Sequence, residues 1–130
     1  MEKFEFEKRK IIITATLKGP YTTLDFRFLL DTGAGTTVIS DNVASVLGYD
    51  MRKIHTSQTF VTAGGRVNAK MIQLHKITML GKQMPNFTVC VIPLPYQVLA
   101  YANGLIGVDF LQQLKKIKID FDTKEIECYS

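Results

Sequence analysis

Apolar and polar positions alternate along this chain in short bursts, and most bursts have the two-residue period of a strand. Phe4-Glu5-Phe6-Glu7 alternates, and Ile11 to Leu17 is apolar and rich in β-branched residues. Gly19-Pro20 interrupts the pattern and Tyr21 to Leu30 resumes it, which predicts a hairpin over residues 11–30. After Asp31-Thr32-Gly33 the chain is extended again over Thr36 to Ile39. Ser40 to Gly48 differs in character: Ser40 or Asp41 suits the cap of a helix of two turns at most, and Gly48 suits its end. Thr56 to Thr62 and Val67 to Leu74 flank Ala63-Gly64-Gly65-Arg66, a tight-hairpin signal. Lys76 to Leu80 and Phe87 to Ile92 form another pair across Gly81-Lys82, and Pro93-Leu94-Pro95 reads as loop. Gly104 to Val108 is short and apolar, and Asp109 is placed to cap a helix over Phe110 to Leu114. Lys116 to Phe121 and Glu125 to Tyr129 close the chain as a hairpin around Asp122-Thr123-Lys124. Many short strands with regular turns and two short helices predict an all-β sandwich or barrel.

Composition narrows this without changing it. At 130 residues, with 46% hydrophobic and 22% charged, the chain is expected to be one globular domain over residues 1–130. The net charge is +4, with basic residues gathered in Lys8-Arg9-Lys10 and Lys115-Lys116-Lys118. Both clusters have acidic neighbours, so they read as solvated faces, and no nucleic-acid partner is expected. The two cysteines, Cys90 and Cys128, sit among apolar residues and read as reduced thiols in or near the core of a cytoplasmic protein. The N-terminal MEKFEFEKRK has no apolar core of a signal peptide, and no apolar run is long enough to span a bilayer, so no membrane association is expected.

The candidate chemistry lies in Asp31-Thr32-Gly33. Asp, Thr and Gly are ordinary turn residues, so the tripeptide alone says little. Its context says more. Phe26, Phe28, Leu29 and Leu30 form a near-continuous apolar run, which predicts a strand buried on both faces. An ionised Asp at its end needs compensation. Either the turn's own N–H groups at Gly33 and Ala34 bind the carboxylate, or it shares a proton with a second carboxylate.

Asp31-Thr32-Gly33-Ala34 after an apolar strand resembles the active-site motif of the aspartic proteases, most closely their single-domain, retropepsin-like branch. Two further landmarks follow in the family's order. Val61 to Val67, with Gly64-Gly65 at its tip, sits where the family carries its flap. Leu105-Ile106-Gly107-Val108-Asp109-Phe110-Leu111 resembles the apolar-apolar-Gly segment that leads into the family's C-terminal helix. Asp120-Phe121-Asp122 with Lys124-Glu125-Ile126 is similar to the closing hairpin of many relatives. The resemblance implies a closed, barrel-like acid-protease fold with one or two short helices and a flap hairpin.

It also implies a partner for Asp31. The motif occurs once, and Asp122-Thr123-Lys124 lacks its Gly. A dyad therefore requires a homodimer with Asp31 and its symmetry mate on the two-fold axis. The implied activity is hydrolysis of an extended peptide or unfolded protein by water activated between the two carboxylates, with no cofactor and no metal. His55 and His75 lack the spacing of a zinc motif and read as structural or exposed.

By the same resemblance, Thr32 bonds across the dyad to the other subunit's backbone. Gly33 lets substrate pass close, and Ala34 and Gly35 with flap residues Ala63, Gly64 and Gly65 bind substrate. One departure is Gly35, where the family usually has Ser, Thr or Asp; Thr36 is the nearest hydroxyl. Candidates for pocket lining are Phe60, Val61, Val67, Pro95, Tyr96 and Ile106. The chain ends, Phe4-Glu5-Phe6 and Ile126 to Tyr129, match segments that retroviral relatives interleave in their dimer. The alternative reading is a dimerisation or peptide-binding module of the same fold with little turnover. A basic nucleic-acid-binding barrel would explain the charge but none of the three landmarks.

Overall fold

The computed structural model describes residues 1–62 and 64–129. Among these residues eleven strands alternate with short helical segments. The strands are β1 (Glu2–Lys3), β2 (Glu5–Glu7), β3 (Lys10–Lys18), β4 (Thr23–Leu30), β5 (Val38–Ile39), β6 (Ser57–Thr62), β7 (Gly65–Met79), β8 (Lys82–Val91), β9 (Gly104–Ile106), β10 (Lys116–Asp120) and β11 (Glu125–Tyr129). The helices are α1 (Asp41–Leu47), α2 (Tyr96–Leu99) and α3 (Val108–Leu111), with 3₁₀ turns at Met51–Lys53 and Gln112–Leu114.

Eight strands form one sheet in the order β2-β3-β4-β9-β5-β8-β7-β6. A further antiparallel ladder joins β3 to β7 through Thr16↔Thr78, Leu17↔Ile77 and Lys18↔Lys76. The sheet thus closes on itself as a ring of β3, β4, β9, β5, β8 and β7, as the barrel-like expectation required. Strand β9 lies parallel to β4, with Phe28↔Gly104 and Leu30↔Ile106, and β5 lies between β9 and β8. The remaining sheet, β1-β11-β10, packs Ile117, Ile119, Ile126 and Cys128 onto the core. Its first strand pairs with the last strand of the same chain, through Glu2↔Ile126 and Lys3↔Glu125. The two chain ends are thereby joined in cis.

Period-2 alternation decides what is buried. In β3, Ile13, Ala15 and Leu17 point into the core, as do Val89 and Val91 of β8; in β7 the buried phase changes once, from Ile72 and Leu74 to Ile77 and Met79, across the two more exposed residues His75 and Lys76. Phe28, Ile39, Ile106 and Phe110 complete the interior and surround the elements that carry the Asp31 turn. Arg27 of β4 is a clip on the outside. It ion-pairs with Glu5 and Glu7 of β2 and donates from Nε to the Tyr101 carbonyl at 3.0 Å. The loop that precedes β9 is therefore tied to β4 by the Arg27 side chain.

The caps of α1 follow the sequence reading: Ser40 accepts from the Val43 N–H at 3.3 Å, and Gly48 ends the helix at φ 105°. Other expectations need correction. The segments 67–74 and 76–80 are one continuous strand, β7, because His75 is simply an exposed outward position within it. The helix at Tyr96–Leu99 carries no side-chain cap and gave no sequence signal. The second helix begins at Val108 with Gly107 as its N-cap, so Asp109 lies inside the first turn and does not cap it. Strand β4 buries only Phe28 fully; Phe26, Leu29 and Leu30 are half-buried. Lys8 and Arg9 form an exposed hairpin turn, and Lys116 and Lys118 are exposed on β10, which agrees with solvated basic faces.

The β7–β8 turn sets two demands against each other. Met79 pairs with Lys82, and the two residues between them have φ 52° (Leu80) and 77° (Gly81). That is the sign pattern of a type I′ turn, which favours Asn-Gly. Leu80 nonetheless occupies the first position, is 7% exposed and joins the core cluster that holds Ile126. The left-handed conformation costs a branched residue about 1–2 kcal/mol. Burying its side chain returns about 1.5–3 kcal/mol. Leu80→Asn should therefore destabilise the fold by ~1 kcal/mol despite easing the turn. Urea unfolding of the two proteins checks this, and a more stable Asn variant would mean that strain outweighs burial.

Candidate active site

Asp31 stands where β4 ends. Its N–H donates to the Ile106 carbonyl at 3.0 Å, which extends the parallel β4–β9 ladder by one bond and fixes where the chain must turn. The half-buried Asp31 carboxylate accepts the Gly33 N–H on Oδ1 at 2.9 Å. Among the described residues, Oδ2 takes no hydrogen bond. The Ala34 N–H goes to the Asp31 main-chain carbonyl at 3.1 Å, and so of the two expected N–H donors only Gly33 reaches the carboxylate. Thr32 and Gly33 are exposed.

Beyond Gly33 the loop is held against the start of α3. Val108 N–H donates to the Ala34 carbonyl at 2.8 Å, and Asp109 N–H to the Gly35 carbonyl at 3.1 Å. Thr37 is fully buried and gives its N–H to Asp109 Oδ2 at 3.0 Å and its hydroxyl to Asp109 Oδ1 at 2.7 Å. The same hydroxyl oxygen accepts the Gly107 N–H at 3.2 Å. The approach is too close for any side chain at position 107: a Cβ there would lie 2.7 Å from the Thr36 carbonyl carbon and 2.8 Å from the Ala34 oxygen.

A cavity of about 280 Å³ opens beside this loop, lined by Ala34, Gly35, Thr36, Val38, Phe60, Val61, Val67, Cys90 and Ile92. Strand periodicity explains its lining. Ile39, Val89 and Val91 face the main core, so their neighbours Val38, Cys90 and Ile92 face the other way. Phe60 pairs directly with Val67 across the β6–β7 hairpin, which covers the cavity from above. Burial pushes the Cys90 thiol up to about 11, so it is a neutral, apolar part of the wall. A site of this kind suits an apolar side chain presented by an extended chain.

The sequence candidates divide accordingly. Ala34 and Gly35 meet Phe60, Val61 and Val67 around one cavity, whereas Asp31, Thr32 and Gly33 lie outside its lining. Pro95, Tyr96 and Ile106 do not line it; Ile106 is fully buried in the main core and Tyr96 is exposed on α2. Gly64 is an exposed turn residue. The hairpin closes at Thr62↔Gly65, so Gly65 belongs to β7, at φ 115°, and is not the turn's apex. Ala63 lies outside the described residues. His55 and His75 are exposed, and no cluster of metal-ligating residues occurs among the described residues. No helix among them is long and apolar enough to cross a membrane. Val38, Cys90 and Ile92 were missed as lining because their apolar runs gave no sign of which face would be free. A strict alternation count from Val89 would have put Cys90 and Ile92 on one side.

Comparison with known proteins agrees with this geometry. Residues 21–113 match the family model described as "gag-polyprotein putative aspartyl protease". The chain is 26% identical over 129 residues to an uncharacterised protein of Rickettsia prowazekii (strain Madrid E), covering 92% of this chain and 52% of the relative. It thus spans about half the length of the curated relative it matches. The crystal structure of a retropepsin-like aspartic protease from Rickettsia conorii superimposes with a TM-score of 0.72 at 25% identity, covering 92% of this chain and 83% of that one. An aspartate turn at the end of β4, a covering hairpin and the latch at α3 all fall within these matches, and the chain belongs to the retropepsin-like aspartyl protease family.

Proposed function

We propose that the protein is an aspartic endopeptidase whose dyad, Asp31 and its symmetry mate, forms across a homodimer. The observation that carries this reading is a half-buried carboxylate on a hydrogen-bonded glycine turn, beside an apolar cavity covered by a hairpin. One chain supplies one such carboxylate, so the reaction requires a second copy.

In such a dyad two carboxylates held in contact cannot both be ionised, and the pair keeps one proton. The ionised member takes a proton from a bridging water as that water attacks the scissile carbonyl. The protonated member donates its proton to the carbonyl oxygen. The tetrahedral intermediate collapses as the carboxyl that took the water's proton gives it to the leaving nitrogen and the other carboxylate takes a diol proton back, which releases acid and amine with no covalent link to the protein. Gly33 N–H, bound to Oδ1, orients the carboxylate for this exchange. Thr32 is exposed beside it and is the residue proposed to grip the partner loop. The hairpin closes over substrate and excludes water. Gly35 and Thr36 put no charge on the cavity lining, and nothing lies within 4 Å of where a Gly35 Cβ would be. A side chain at position 35 would fill that space, so Gly35 widens the entry for substrate.

Wild type should cut a diverse unstructured peptide pool at discrete internal positions, and Asp31→Asn should abolish every cut while sedimenting as the same dimer. Mass spectrometry of the digests, beside sedimentation, checks this. A dimer that binds peptide and leaves it intact would instead favour the peptide-binding module of the same fold.

Cys90→Leu should add bulk to the cavity wall and shift the products away from sites flanked by Phe or Tyr towards smaller apolar residues, by roughly tenfold in relative kcat/KM. Unchanged cleavage ratios would remove the cavity from substrate selection.

A further inference from the structure

We propose that Asp109 is a positioning residue for the Asp31 site, holding residues 34–37 in place through its ionised carboxylate; the kinetic part of this inference rests on the peptidase reading above. Asp109 sits in the first turn of α3, where its sequence position suggests a cap. The cap position belongs to Gly107, and the carboxylate turns away to Thr37, 72 residues distant in sequence.

Donor counting decides what the group must be. Three donors converge on it: Thr37 N–H on Oδ2 at 3.0 Å, and Thr37 Oγ1–H at 2.7 Å and Phe110 N–H at 2.8 Å on Oδ1. A carboxylate satisfies all three because it only accepts. An amide of the same shape cannot. With its oxygen towards Thr37 N–H, its NH₂ meets Phe110 N–H. With its oxygen towards Phe110 N–H, its NH₂ meets Thr37 N–H. In the first case Phe110 N–H keeps the Gly107 carbonyl at 3.2 Å but the Thr37 hydroxyl loses its acceptor, and in the second Thr37 N–H loses its own. One Thr37 donor is left unpaired either way, and Thr37 is fully buried, so water does not replace the lost acceptor. Among the described residues no cation ion-pairs with Asp109, so the loop is its principal partner.

The consequence reaches the site through a short path. Thr37 ends the loop that begins at Asp31, and its carbonyl accepts the Cys90 N–H at 3.0 Å, which anchors the loop to the cavity wall. Val108 and Asp109 N–H groups hold the Ala34 and Gly35 carbonyls. Releasing Thr37 loosens the two residues that line the cavity mouth and follow the aspartate turn. A displacement of about 1 Å at a reacting group costs on the order of 10²-fold in rate.

The test uses the full chain in two arms. In the first, amide hydrogen exchange is followed by NMR in wild type, Asp109→Asn, Thr37→Val and Thr37→Ser. We expect Thr37, Val108 and Gly107 amides to exchange at least tenfold faster in Asp109→Asn while Leu74 and Ile77 in β7 keep their protection. The Gly107 amide, whose acceptor is the Thr37 hydroxyl, should behave likewise in the Val variant, and Ser, which keeps the hydroxyl, should restore wild-type exchange at positions 107 and 108. In the second arm, on a peptide that wild type cuts, Asp109→Asn and Thr37→Val should lower kcat at least tenfold with KM changed less than threefold, and Thr37→Ser should retain kcat. Wild-type exchange at positions 37, 107 and 108 in both Asp109→Asn and Thr37→Val would overturn the inference, as would undiminished kcat in both. If wild type cuts no peptide, the peptidase reading fails and the exchange arm alone decides. If Asp109→Asn does not fold, the contrast between Val and Ser at position 37 decides.

Discussion

The parallel pairing of Phe28–Leu30 with Gly104–Ile106 is the contact on which the rest of this molecule depends. It joins strands more than seventy residues apart and leaves the Ile106 carbonyl free to take the Asp31 N–H, which sets the point at which the aspartate leaves the sheet. The pairing is possible because position 104 has no side chain. A Cβ there would stand 2.5 Å from both the Phe28 ring and the Val38 carbonyl. Gly104 thus admits β4 on one side and β5 on the other, and Phe28, the fully buried residue of β4, fills the core beneath. Long-range parallel pairing closes a large loop before any contact stabilises it, so it is entropically costly. The Arg27 clip to Glu5, Glu7 and the Tyr101 carbonyl lies on the same two segments and holds them together from outside.

Around this contact the barrel strands have two distinct duties. One face of β5 and β8 builds the core with Ile39, Val89 and Val91. The other builds a cavity wall with Val38, Cys90 and Ile92. A strand shift of one residue would exchange the two sets. The register of Val38↔Cys90 is therefore as much a determinant of the cavity as of the core. The β6–β7 hairpin adds Phe60 and Val67, and its edge strand β6 pairs on one side only, which suits a cover that moves.

The chain ends are joined in cis. Segments that retroviral relatives interleave are engaged here within one chain through the β1–β11 ladder. Phe4 is buried by that pairing and its N–H donates to the Lys124 carbonyl at 3.0 Å. Among the described residues the outer edges of β1 and β10 pair with no further strand of the sheet, and Thr32 is exposed.

Much of this was legible in the sequence because it is local. Alternation identified the strands; Ser40 and Gly48 marked α1; Gly81 marked a hairpin; and Asp31-Thr32-Gly33 after an apolar run marked the site. Each of these depends on a residue's own backbone preference or on neighbours within one turn. What the tertiary structure decided depends on residues far apart in the chain. It gave Asp109 to Thr37 instead of to a helix cap, fused two predicted strands into β7, and left Leu29 and Leu30 half-exposed where burial was expected. It also set Cys90, a buried thiol as expected, against the cavity as part of its wall. The physical reason is the same in each case. Local pattern fixes which side chains share a face, but only packing fixes what that face meets.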